Sequence, residues 1–110
     1  QKEEQGEVNM KITINNVEWN FNFVPQVSLP AGYYGQCCDE ELTINVLKNM
    51  NPARQRFTII HELVHAIFHS QGRTYTWENM SEENVCEFIA WNLDTINNLV
   101  DYIQEHRREG

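Results

Sequence analysis

Two histidines and a glutamate within five residues carry the clearest chemistry in the sequence. His61 and His65 are four positions apart, and Glu62 directly follows the first of them. In an α-helix, side chains at i and i+4 lie on one face, one turn apart, so both imidazoles could bind a single metal ion. Glu62 would then lie beside a water molecule on that ion and could act as its general base. This HExxH pattern predicts a zinc site that activates water for hydrolysis.

A helix has to position these residues, and the flanking sequence predicts one. Asn51 is a good N-cap, Pro52 is favoured at the first helical position, and Gly72 would end the helix after about residue 70. The two imidazoles would lie at the edge of an apolar stripe, where a metal at the floor of a cleft could still contact water. That stripe has helical spacing and consists of Phe57, Ile60, Leu63, Val64, Ile67 and Phe68.

Two histidines do not complete a catalytic zinc site, which normally has three protein ligands and a water molecule. His69 lies one turn further along the same helix, but positions i, i+4 and i+8 form a row rather than surround a point. His69 is therefore a poor third ligand. A second helix is predicted from Ser81, as its N-cap, to about Glu105. The acids near its start are the candidate ligands: Glu82, Glu83 and Glu87.

Alternating apolar and polar residues before the first helix predict a short antiparallel sheet. Two runs of period two, at 8–14 and 17–23, are joined by Asn15-Asn16, a pattern typical of a β-hairpin. Further short strands are predicted at 35–38 and 42–46, and the second of these would place alternate residues in the core. The predicted fold class is α+β, with an antiparallel sheet of three to four strands, the HExxH helix and a long second helix. The alternate core residues are Leu42, Ile44 and Val46.

Composition indicates one small acidic domain. The chain has 110 residues and a net charge of −8, which argues against nucleic acid or an anionic membrane surface as a partner. No apolar run approaches the roughly 20 residues of a membrane span. Residues 1–7 are predicted to form a flexible tail, and residues 8–110 a single domain. Three cysteines without framework spacing favour reduced, inert thiols and a cytoplasmic location: Cys37, Cys38 and Cys86.

Residues on both predicted helices resemble the ImmA/IrrE-type metallopeptidases, a gluzincin-like family common in bacteria, phages and mobile elements. The resemblance covers mainly residues 52–93 and is closest to small phage-type members. It rests on the segment 56–65 and on Glu83-x-x-Cys86-Glu87-x-Ile89-Ala90-x-x-Leu93. It implies a small zincin-like fold, Zn²⁺ as the cofactor, and hydrolysis of peptide bonds in a regulatory protein such as a repressor.

The family's second motif, Glu-x-x-Ala-Asn-x-Phe-Ala, supplies the third zinc ligand through its Glu. Matching the motif residue by residue implies that Glu83 is this ligand. Glu87 stands where the family has Asn, and Cys86 and Ile89 also depart from the motif. Glu87 is therefore the alternative ligand, or a residue that orients a ligand histidine. A donor that stabilises the developing oxyanion is also expected, and the candidates are Tyr33, Tyr34, His69, Arg73 and Tyr75.

Two other functions are compatible with the same residues. A catalytically inactive zinc-binding module that docks a protein partner through the cleft would have the same ligands. In a metal-free interaction domain, the histidines would bind no metal and their spacing would be incidental. For both zinc-binding functions, the expected partner is a protein or a peptide, and the sequence specifies no oligomeric state.

Overall fold

A computed structural model describes residues 8–71 and 80–109 of the chain. The α+β fold class is confirmed, since these residues form four strands followed by two α-helices. The predicted tail at 1–7 and the predicted helix stop at Gly72 lie outside the described residues. The elements are β1 (Val8–Ile14), β2 (Val17–Val24), β3 (Gly35–Cys38), β4 (Thr43–Leu47), α1 (Pro52–Ser70) and α2 (Glu82–Glu109).

The four strands form one sheet in the order β1-β2-β4-β3. The predicted hairpin of β1 and β2 is confirmed, and its turn residues Asn15 and Asn16 have φ angles of 50° and 68°. Asparagine tolerates this left-handed conformation, which a two-residue hairpin turn requires. β2 and β4 are parallel, whereas β3 pairs antiparallel with β4. The sheet is therefore mixed rather than wholly antiparallel, because the chain forms β3 at the far edge before β4 returns to the middle.

One face of the sheet packs against both helices, and the alternation predicted for the hairpin accounts for most of that face. Leu42 departs from the predicted pattern. It precedes β4 with a φ of 52° and is 36% exposed, so the core on this strand begins at Ile44. Burying each large apolar side chain contributes roughly 1.5–3 kcal/mol. The core consists of Ile12, Ile14, Trp19, Phe21, Phe23, Ile44 and Val46 from the sheet, Ile59, Leu63, Ala66, Ile67 and Phe68 from α1, and Phe88, Ile96, Val100 and Ile103 from α2.

Both helices begin where the sequence predicts. Asn51 Oδ1 accepts a hydrogen bond from the Ala53 N–H at 2.8 Å, and Ser81 Oγ accepts one from the Asn84 N–H at 3.2 Å. These caps satisfy backbone donors that have no partner within their helices. α2 continues beyond its predicted end at Glu105. Within the described ranges, no helix combines the length and apolarity that a membrane crossing needs.

A buried amide fixes the start of α1 against the end of β4. Gln55 is 5% exposed, and its Nε2 donates to the carbonyl oxygens of Leu47 and Lys48 at 3.1 Å each. The Arg107 guanidinium, near the end of α2, also donates to the Lys48 carbonyl at 2.8 Å. The end of β4 is therefore hydrogen-bonded to both helices. α1 cannot slide along the sheet without breaking the hydrogen bonds of the buried Gln55 side chain.

Replacing Gln55 with Leu should lower the free energy of unfolding by about 1–3 kcal/mol, because two hydrogen bonds in a buried position are lost. Gln104→Leu is the matched control, since Gln104 Oε1 only accepts an exposed bond from Arg56. Its effect should stay below about 0.5 kcal/mol. Urea denaturation measures both values, and equal losses would contradict the anchoring role of Gln55.

Candidate active site

Packing of α1 buries the glutamate of the HExxH segment, Glu62. Ile59 and Leu63 are fully buried against the sheet and set the rotation of the helix. Glu62 falls on the same buried face, with 6% of its surface exposed, whereas His61 is exposed and His65 is half-buried. The two imidazoles therefore lie at the edge of the buried face, and the carboxylate lies beneath them.

The two imidazoles are close enough to act together. The ring centroids of His61 and His65 are 4.9 Å apart, with their planes at 73°. Burial lowers the pKa of His65, and the imidazoles of His61 and His69 lower it further. His65 therefore favours its neutral form at ordinary pH, and a neutral imidazole nitrogen is the form that binds a metal ion.

The backbone of β3 closes over Glu62. A Cβ atom added to Gly35 would lie 3.1 Å from Glu62 Oε2 and 2.8 Å from Thr58 Cγ2. Only glycine allows the strand to pass this close to the helix. Burial raises the pKa of Glu62, and the nearby His61 opposes this effect only in part. A carboxylate with a raised pKa is a stronger base once it is ionised, which suits general-base chemistry near neutral pH.

These side chains line a cleft of about 630 Å³ between α1 and β3. Residues 32–37 form the strand side, and His61, Glu62 and His65 lie on the helix side. The strand order leaves the cleft-facing edge of β3 without a strand partner among the described residues. An extended peptide could therefore pair with that edge directly above the histidines.

Aromatic side chains form one rim of the cleft, and a tight turn positions them. The turn closes through a hydrogen bond from the Tyr33 N–H to the Pro30 carbonyl at 3.0 Å, with Gly32 at a φ of 84°. This conformation is typical of the third residue in a type II turn. Tyr33 and Tyr34 emerge half exposed at the cleft, and the Arg54 guanidinium carbon lies 5.1 Å from the ring centroid of Tyr34.

A family model for the IrrE N-terminal-like domain (Peptidase_M78) matches residues 30–107, which is more than half of the chain. The chain belongs to this family. The resemblance to ImmA/IrrE-type proteins is thereby confirmed, and the matched span includes every residue that lines the cleft. Neither the curated proteins nor the solved structures gave a match to the chain.

In this IrrE N-terminal-like domain, α2 does not bring its acids to the histidines. Glu83 and Glu87 are exposed on the first turns of α2. The part of the chain that the structure describes contains no group of three His, Cys, Asp or Glu side chains placed to hold one metal ion. Of the predicted zinc ligands, the described residues bring together only the His61–His65 pair. The assignment of Glu83, with Glu87 as the alternative, stays a prediction.

α2 meets α1 beyond the HExxH segment. The Phe68 and Phe88 ring centroids are 5.8 Å apart, and Gln71 Nε2 donates to Asn92 Oδ1 at 2.9 Å. The start of α2 is therefore held near the end of α1 rather than against the cleft. A third ligand from α2 would require the first turns of this helix to approach His65.

Three of the candidate oxyanion donors lie at the cleft. Tyr33, Tyr34 and His69 line it, whereas Arg73 and Tyr75 lie outside the described residues. Tyr34 is stacked against Arg54, and His69 Nδ1 lies 3.6 Å from Asp39 Oδ2. Each of these three groups lines the same cleft as Glu62.

The cysteines are free thiols, and one of them borders the cleft. Burial raises the pKa of Cys37 to about 12, and the carboxylates of Glu62 and Asp39 add to this shift. The Cys37 thiol therefore stays protonated at neutral pH, a form that neither binds metal nor attacks electrophiles well. Burial also raises the pKa of Cys38, whereas Cys86 is exposed on α2. The reduced thiols predicted from sequence are consistent with these positions.

Gly35 is a site residue that the sequence analysis did not identify, although a glycine inside a strand often marks a close backbone approach. Gly35→Ala should lower the free energy of unfolding by about 1–3 kcal/mol, because the new methyl group overlaps Thr58 Cγ2. Repeating the substitution in a Thr58→Ser background should reduce this loss, since serine lacks that methyl group but keeps the hydroxyl that donates to the Arg54 carbonyl.

A double-mutant cycle by chemical denaturation measures the coupling between the two substitutions. The same destabilisation from Gly35→Ala in both backgrounds would contradict the close strand–helix contact.

Proposed function

We propose that the chain is a zinc-dependent peptidase that cleaves a regulatory protein such as a repressor. One arrangement supports this function above all: a buried Glu62 carboxylate beside paired histidines at the floor of a cleft. Membership of a peptidase family agrees with it. The repressor is proposed by analogy with the family, and the cytoplasmic location belongs to the same proposal.

His61 and His65 fit the role of zinc ligands because their ring centroids are 4.9 Å apart across one helical turn and His65 favours its neutral form. Glu83, or alternatively Glu87, is proposed as the third ligand. A zinc ion at this position would polarise the peptide carbonyl and lower the pKa of a bound water molecule to about 7.

Glu62 is proposed as the general base. Its carboxylate accepts a proton from the attacking water as the water oxygen bonds to the carbonyl carbon. The same carboxyl group then returns the proton to the nitrogen of the leaving amine as the carbon–nitrogen bond breaks. General-base catalysis needs the ionised carboxylate. Because burial raises the pKa of Glu62, this side chain becomes protonated at a higher pH than an exposed glutamate would as the solution is acidified.

The edge of β3 is proposed to hold the substrate. An extended segment that pairs with this strand places its backbone over Glu62, since Gly35 lies directly above the carboxylate. Backbone pairing selects an extended conformation rather than a particular sequence. The target must therefore present an unfolded or loop segment to the cleft.

Glu62→Gln should abolish or strongly reduce hydrolysis, by roughly 10²- to 10⁴-fold, while zinc binding is retained. The amide keeps the shape of the side chain but cannot accept the proton. Hydrolysis of a peptide mixture, followed by mass spectrometry, and zinc analysis measure the two properties. Glu105→Gln, an exposed acid at the far end of α2, is the matched control and should be unaffected. Unchanged function in Glu62→Gln would favour an inactive zinc-binding module that docks a protein partner.

Substitution of the two candidate acids on α2 should have unequal effects on zinc affinity. Glu83→Gln should weaken binding by more than about 100-fold if it removes a ligand, and Glu87→Gln by about 10- to 100-fold if it removes only an orienting group. Competition with a chelator of known affinity measures both. Equal and negligible effects would exclude both acids from the site.

A further inference from the structure

The cleft continues past the histidines towards the start of α1. Phe57, predicted as part of the apolar stripe, instead lines the cleft and is 60% exposed. It also borders a second depression of about 570 Å³, whose other walls include Asn51, Ala53 and Arg54. Tyr34 lies at this end, beside Arg54, with about half of its surface exposed. Two exposed aromatic rings at one end of the cleft provide a surface for a large apolar side chain.

Arg54 places a positive charge beside these rings. Its guanidinium lies over Tyr34, and no carboxylate within the described ranges forms an ion pair with it. Arg56, two positions later, instead donates to Gln104 on α2 at 3.1 Å. Arg54 is therefore free to pair with a carboxylate on a bound molecule. A guanidinium stacked on an aromatic ring is also held in one orientation, which lowers the entropy lost on binding.

The two ends of the cleft have opposite charge. Beyond β3, the exposed turn Asp39–Glu41 contributes three acids, and Asp39 lies beside His69 at that end. At the other end, Arg54 is accompanied by the positive end of the α1 dipole. An acidic side chain is thus repelled at the first end and attracted at the second, although the chain as a whole carries a charge of −8.

We propose that Arg54, Tyr34 and Phe57 form a specificity subsite for an acidic side chain next to a large apolar one, on the C-terminal side of the cleaved bond. This inference rests on the proposed peptidase function. Tyr34 directly precedes β3 and Asp39 directly follows it, so a peptide that pairs antiparallel with this strand runs from the acidic end towards Arg54. Arg54 and His61 are roughly 10 Å apart along the helix axis, or about three residues of extended peptide.

Digestion of a proteome-derived peptide mixture tests the subsite without knowledge of the natural target. The wild-type zinc-loaded protein should cleave peptides enriched about threefold in Asp or Glu within two to four positions after the cut, as expected for an exposed ion pair. Arg54→Glu should replace this preference with one for Lys or Arg. Arg56→Glu, the matched control in the same helical turn, should keep the wild-type pattern. Absence of acid enrichment, or the same enrichment in Arg54→Glu, would overturn the proposal.

A binding measurement separates failure of the subsite from failure of the peptidase function. Two fluorescent synthetic peptides differ only in Glu or Lys directly after a Phe, and their binding to Glu62→Gln protein is followed by anisotropy. The Glu peptide should bind about threefold more tightly, and Arg54→Glu in the same background should reverse the order. This result would support the subsite even if the wild-type protein cut nothing. Equal binding of the two peptides, or binding of neither, would overturn it.

Discussion

The close approach of one strand to one helix is the constraint on which the cleft depends. Gly35 passes so near α1 that no larger residue fits beside Thr58 and Glu62 without displacement. This contact is possible because β3 is at the edge of the sheet and α1 is held against the end of β4 by Gln55. The carboxylate is buried beneath the strand, and the free strand edge remains available above it. A single contact therefore positions both the proposed base, Glu62, and the proposed substrate-binding edge.

The electrostatics of the site follow from this burial. Desolvation raises the pKa of Glu62 and of the Cys37 thiol, and it lowers the pKa of His65. All three pKa shifts favour the neutral form of the group, so these side chains are less readily charged in the cleft than they would be in water. A divalent cation would reverse that balance, because it favours the carboxylate and uses the neutral imidazoles as ligands.

Local signals in the sequence predicted much of this fold. Asn51 and Asn15-Asn16 mark a helix start and a hairpin turn through short-range hydrogen bonding and backbone preference, and both are found in place. The parallel pairing of β2 with β4 joins segments that are far apart in the sequence. The period-two alternation within each strand does not specify which strands pair. The sequence predicts that Phe57 belongs to the buried stripe of α1, because it is as apolar as its neighbours. Packing instead rotates the helix so that Phe57 is exposed and Glu62 is buried. The third ligand was predicted from a motif alone, and tertiary packing leaves Glu83 exposed.

Zinc K-edge X-ray absorption on protein purified without nickel resin tests the proposed zinc site. We expect about one zinc per chain with only nitrogen and oxygen neighbours at about 2.0–2.2 Å, including two imidazoles. The zinc should be lost in His61→Ala and in His65→Ala. A sulfur neighbour at about 2.3 Å would assign the metal to a cysteine instead. Protein that contains no zinc and takes up none when it is supplied would contradict the metallopeptidase proposal altogether.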